Sequence, residues 1–144
     1  MKQIGKVVSA EKGAITTVVC AMSAGGSYIT EMILFKQKNM NDRLVKGAPP
    51  GFLCTPSDSG WMDAQLLVKY MKHFIAHTMS SENRPLLVMF DGHQSHKSLE
   101  VVELATQHQI TLLTFPPHTS HRLQPLDVTF FGTLKNGFNK DVDK

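Results

Sequence analysis

The sequence predicts a mixed α/β fold, on three observations. Two runs rich in β-branched residues, 14–22 (AITTVVCAM) and 28–35 (YITEMILF), flank a short SAGGS turn, the pattern of a β-hairpin. Two short apolar runs, 86–90 (LLVMF) and 110–115 (ITLLTF), are bounded by Pro and Gly and separated by a segment with helical spacing. That order implies a parallel strand pair joined by a right-handed helical crossover. Between hairpin and crossover, Leu67, Tyr70, Met71, Phe74, Ile75 and Met79 recur at helical intervals.

Taken in order, a weaker strand is expected near residues 4–8, ahead of the hairpin. Residues 36–60 read as a loop carrying Lys36, Lys38, Arg43 and Lys46, then Pro49-Pro50-Gly51. Asp58 or Ser59 can cap a helix beginning near Trp61, and Pro85 ends any continuation. The aromatic and methionine stripe on this helix reads as core. Segments 86–90 and 110–115 are apolar enough to be strands buried on both faces. The helix over 98–108 turns Leu99, Val102, Leu104 and Ala105 inward. A last helix starts at Pro125, where proline suits the first turn, and runs through Phe130, Phe131 and Leu134 to about Phe138. The whole is a layered α/β domain with a mixed sheet flanked by helices.

The totals narrow the function classes. At 144 residues with 42% hydrophobic content, the chain suits one folded domain over residues 1–144 rather than a disordered one. Its net charge of +3 is compatible with a polyanionic partner without requiring one. Cys20 and Cys54 form no CxxC pair, so neither a zinc knuckle nor a redox motif is indicated, and a reducing compartment is the simplest expectation. The first residues lack the apolar core of a signal peptide, and no run is long enough to span a bilayer, so no membrane association is expected.

Two carboxylates carry the main chemical signal. Asp91 stands where an apolar strand ends, the edge at which open α/β sheets bind ligands. Asp127 falls in the first turn of the last helix, beyond the next parallel strand. Adjacent parallel strands would bring both acids to one end of the sheet. There a hard divalent cation such as Mg²⁺ or Mn²⁺ relieves their repulsion. Each acid also has an ordinary reading: Asp91-Gly92 as a turn pair, and Asp127 as a favourable partner of a helix N-terminus.

Other polar groups leave alternatives open. His93 with His96, and His118 with His121, form two HxxH pairs that could make a zinc site. Both pairs lie in expected loops without a cysteine, so loop residues around a site edge are the plainer reading. There His93 or His96 could orient a carboxylate or contact phosphate. The cations Lys36, Lys38, Arg43 and Lys46 are either a solvated loop or a contact for a nucleic-acid backbone.

Two stretches carry a family resemblance: 86–96 (LLVMFDGHQSH) and 110–135 (ITLLTFPPHTSHRLQPLDVTFFGTLK). The apolar strand ending in D-G-H-x-S-H, and the P-P-H-T-S-H-R-L-Q-P-L-D run leading into a helix, resemble the second and third acidic motifs of the DDE superfamily endonucleases. That is the transposase catalytic domain of pogo, Tigger and jerky elements and centromere protein B. Thirty-five residues separate the two acids, in keeping with the family. Weaker similarity extends over 11–25 and 59–75, so that most of positions 5–138 is covered.

The resemblance implies a ribonuclease H-like fold, Mg²⁺- or Mn²⁺-dependent cleavage and joining of DNA strands, and a nuclear location. It makes Asp91 and Asp127 metal ligands. The family's first aspartate belongs on a strand upstream of 11–25, yet residues 1–10 contain no acid and Glu11 falls in a connection. The expectation is therefore a dyad on an incomplete first strand, with little strand transfer. A sheet edge left unpaired could take self-association or another chain. Three functions are compatible with this pattern. The leading one is a transposase-derived nucleic-acid-binding domain, the remnant of a strand-cleaving core. The others are a fragment of an active endonuclease and a domesticated protein-interaction module.

Overall fold

The computed structural model describes residues 6–8, 15–91, 98–116 and 124–142. Four strands make one hydrogen-bonded sheet in the order β1 (Lys6–Val8), β2 (Ile15–Met22), β3 (Tyr28–Lys36), β4 (Leu53–Ser57). The first three are antiparallel neighbours; β4 lies parallel to β3, Met32 opposite Leu53 and Lys36 opposite Ser57. The β2–β3 hairpin forms as the sequence implies. Ser23 N donates to Ser27 O at 2.8 Å, Ser27 N donates to the Ser23 hydroxyl at 3.0 Å, and Gly26 takes φ +82°, a value open to glycine because it lacks Cβ. The ladder shifts register between Val19 and Ala21, a bulge at Cys20. Met32 and Leu34 on β3 are fully buried while Ile33 and Phe35 are half-buried, the period-2 alternation of a strand with one core face.

Residues 36–60 are not one loop. They hold a single helical turn, α1 (Asp42–Val45), and the edge strand β4. Pro49-Pro50 and Pro56 disguised the strand. Pro56 is tolerated because β4 is the last strand of its sheet, and a proline's missing donor costs least at an edge.

The next helix, α2 (Ala64–Thr78), starts later than the sequence suggests. Asp63, rather than Asp58 or Ser59, is its N-cap, the carboxylate accepting from Leu66 N at 2.8 Å. Leu67, Val68, Tyr70, Met71 and Phe74 are buried, which makes the expected stripe core. Met79 is the exception, 74% exposed. It is the left-handed C-cap, φ 50°, so helical periodicity no longer directs its side chain.

Strand β5 (Leu86–Phe90), helix α3 (Leu99–Gln107) and strand β6 (Ile110–Thr114) form the expected crossover. β5 and β6 are parallel, with Leu86 opposite Ile110 and Phe90 opposite Thr114. They are not buried on both faces: Leu87 is 59% and Met89 51% exposed, and Leu113 lies on the same face. Apolar composition alone does not say whether a second layer covers a strand. On α3, which packs on α2 and β6, the inward residues are Val101 and Ala105, a pair four apart. Leu99 and Val102 are exposed, since a helix presents only one stripe to its neighbours.

The last helical segment opens with a π-helical turn, Leu126–Phe130, and continues as α4 (Phe131–Val142). Its Phe130 ring lies 5.2 Å from Tyr28 at the start of β3. The chain divides into two compact units, residues 1–62 with 129–144, and residues 63–128. The class is a mixed α/β fold of the ribonuclease H-like kind, as the sequence implies. No helix among the described residues is long and apolar enough to cross a membrane.

Candidate functional site

The parallel β5–β6 pair sets the position of Asp91. Both strands run the same way and end together, and the ladder extends one step further: Phe115 N donates to Phe90 O at 2.9 Å. Asp91 is therefore the first residue past the C-terminal edge of β5. The residue is 8% exposed. Asp91 is thus buried at the strand's end rather than turned to water.

Asp127 lies in the same compact unit. The chain leaves β6 through Phe115 and Pro116 and returns at Gln124, a buried polar residue. Pro125 then opens the helical turn, which suits its fixed φ and missing N–H. Asp127 is the second residue of the π-helical turn, and its side chain is outside the described atoms. A π turn adds a residue to the helix and redirects the chain beyond it, and such turns recur at functional sites. Nothing in LQPLDVTF announces it, since i→i+5 bonding has no composition signature. Gln124, three residues before Asp127, likewise carries no local signal. Its burial comes from tertiary packing.

His93 and His96, and the second pair His118 and His121, fall on residues outside those described. Among the described residues, no group of three or more His, Cys, Asp or Glu side chains gathers to hold a metal ion. The Asp127 carboxylate is not part of that set.

The four basic residues lie in the other unit, on the β3–β4 connection. Lys36 ends β3, Lys38 lies just beyond it, Arg43 is in α1 and Lys46 is its C-cap. All four are exposed. The connection is shaped by its own backbone: the Asn41 side chain accepts from Arg43 N at 3.0 Å, and Lys46 N donates to Asp42 O at 3.2 Å. Asp42 is the one acid among residues 36–46, so the segment presents a net positive surface.

Cys20 and Cys54 are free thiols. Burial, with a smaller contribution from the Glu31 carboxylate, pushes the Cys20 thiol up to about 12, and burial also raises Cys54. Both shifts disfavour thiolates, so neither is set up as a nucleophile or soft-metal ligand.

Comparison with known proteins places these features. A family model described as DDE superfamily endonuclease matches residues 12–144. The chain is 31% identical over 140 residues to a Cochliobolus lunatus protein named MFS-type transporter clz9, covering 96% of this chain and 15% of that protein. It is 26% identical over 124 residues to a human protein named Pogo transposable element with ZNF domain, covering 85% of this chain and 8% of that one. The chain thus spans less than a fifth of the length of these curated relatives. No solved structure matches. With a family model covering nearly its whole length and a buried acid closing the β5 strand, the chain belongs to the DDE superfamily endonuclease family.

Proposed function

We propose that this is a transposase-derived, nucleic-acid-binding domain that works on DNA in the nucleus and keeps a divalent-metal site at Asp91 and Asp127. The observation that carries the reading is the burial of Asp91 at the end of β5, beside a parallel neighbour. A buried carboxylate supplies hard oxygen donors, which fit Mg²⁺ or Mn²⁺ better than softer metals. Asp91 and Asp127 would hold the ion. When bound, it would supply Lewis-acid stabilisation of charge on a phosphodiester oxygen.

The exposed Lys36, Lys38, Arg43 and Lys46 support backbone contact with a polyanion. The human relative's name, a Pogo transposable element, supports DNA as that polyanion. Two carboxylates hold two ions poorly, so strand transfer by this chain alone is expected to be weak.

Plasmid nicking in Mn²⁺, run beside fluorescence-anisotropy titration of a labelled duplex, tests the proposal. Both use protein shown to be folded by circular dichroism. Duplex binding with no nicking is the expected result. Nicking that Asp91→Asn abolishes would put active endonuclease ahead of remnant. Neither binding nor nicking would overturn the nucleic-acid reading in favour of a protein-interaction module.

A further inference from the structure

The C-terminal half of α2 carries a histidine pair remote in sequence from the acidic motifs. His73 and His77 are four residues apart, and residues so spaced stand one above the other on a helix. Their ring centroids are 4.3 Å apart, tilted by 55°. His77 is exposed and His73 half-buried, so the pair is reachable from solvent.

The tautomer of His77 is set by its backbone contact. Its Nδ1 lies 2.8 Å from the His73 carbonyl oxygen. A carbonyl can only accept, so Nδ1 carries the proton. In the neutral ring the lone pair then resides on Nε2. This is the arrangement found in metal-binding histidines, whose non-ligating N–H is held by a carbonyl or carboxylate.

We infer that His73 and His77 form a surface site for a borderline transition-metal cation of the Zn²⁺, Ni²⁺ or Cu²⁺ type, with water completing the coordination. Imidazole nitrogens suit these ions. A tetrahedral ion with metal–nitrogen bonds of about 2.0–2.1 Å needs its two nitrogens roughly 3.3 Å apart. The two rings already lie side by side, with centroids 4.3 Å apart. His77 is in the last turn of α2, where the helix's partial negative charge favours a cation. Two protein ligands keep the site weaker than a closed structural zinc site with four. This site is independent of Asp91 and Asp127, whose oxygen donors call for harder ions.

Titration calorimetry with ZnCl₂ on the whole chain tests the proposal. The chain has five further histidines, so two sets of variants are needed. In one, His73→Gln and His77→Gln are made singly, Gln being a good helix former. In the other, His93, His96, His118 and His121 are all changed to Ala. The expected result is at least a tenfold loss of Zn²⁺ affinity in each α2 variant and little change in the loop variant. A rise in Tm with excess ZnCl₂ that His77→Gln removes, while any rise with equal MgCl₂ is left unchanged by His77→Gln, is the second expected readout. Affinity unchanged in both α2 variants, or lost only in the loop variant, would overturn the assignment.

Discussion

The hydroxyl of Thr17, on β2, donates a 2.6 Å hydrogen bond to the carbonyl of Gly60, 43 residues further on. Both residues are buried, and Gly60 holds φ +77°. The bond ties the hairpin to the turn that leads out of β4. Thr17→Val keeps the shape but removes the donor, and the buried carbonyl loses this partner. We expect a loss of about 1–3 kcal/mol, read from the midpoint of urea unfolding at unchanged m-value. Thr17→Ser, which retains the hydroxyl, should cost about 1 kcal/mol, the contribution of one buried methyl.

The start of α2 depends on one side chain. The Asp63 carboxylate accepts from Leu66 N at 2.8 Å, satisfying one of the four donors a helix leaves open. Asp63→Ala should cost about 1 kcal/mol and Asp63→Asn only a fraction of that. Asp58→Ala, at the cap position suggested by sequence alone, should be close to neutral. Comparing the three by thermal unfolding distinguishes the caps.

Burial of Cys20 gives stability a defined pH dependence. Its thiol is raised from 9.0 to about 12 in the folded chain. The folded state therefore holds its proton where the unfolded chain releases it. The contribution is fully present below about pH 9 and is lost as pH rises from there toward 12. At pH 10 the loss should be about 1 kcal/mol. Cys54 shifts the same way, so Cys20→Ala should flatten the alkaline limb only in part. Denaturant unfolding at pH 8 and pH 10 in both proteins measures the difference.

If the β3–β4 connection meets a phosphate backbone, affinity should fall with salt in proportion to the contacts made. Each phosphate neutralised contributes about 0.9 to the slope of log K against log salt. Replacing Lys36, Lys38, Arg43 and Lys46 together by Ala should lower that slope by roughly 2–4, with DNA affinity reduced at low salt. An unchanged slope would remove these four residues from the interface.

Much of this molecule was written locally in its sequence. The hairpin about SAGGS, the strand LLVMF ending just before Asp91, the helix after Ser98 and the entry at Pro125 are fixed by β-branched content, turn chemistry, helical periodicity and proline geometry, all acting within a few residues. The two acidic motifs were legible for the same reason: each joins a local structural signal to a distinctive run of residues. Tertiary structure decided the features that depend on distant neighbours. Strand β4 was hidden by Pro56 until its place at a sheet edge made that proline harmless. Leu87 and Met89 are as apolar as any core residues, yet their exposure depends on which layers cover the sheet. The burial of Asp91 and Gln124 and the π turn at Asp127 likewise arise from packing and hydrogen-bond partners. Composition does not encode these, because the same side chain is core or surface according to what the folded chain brings against it.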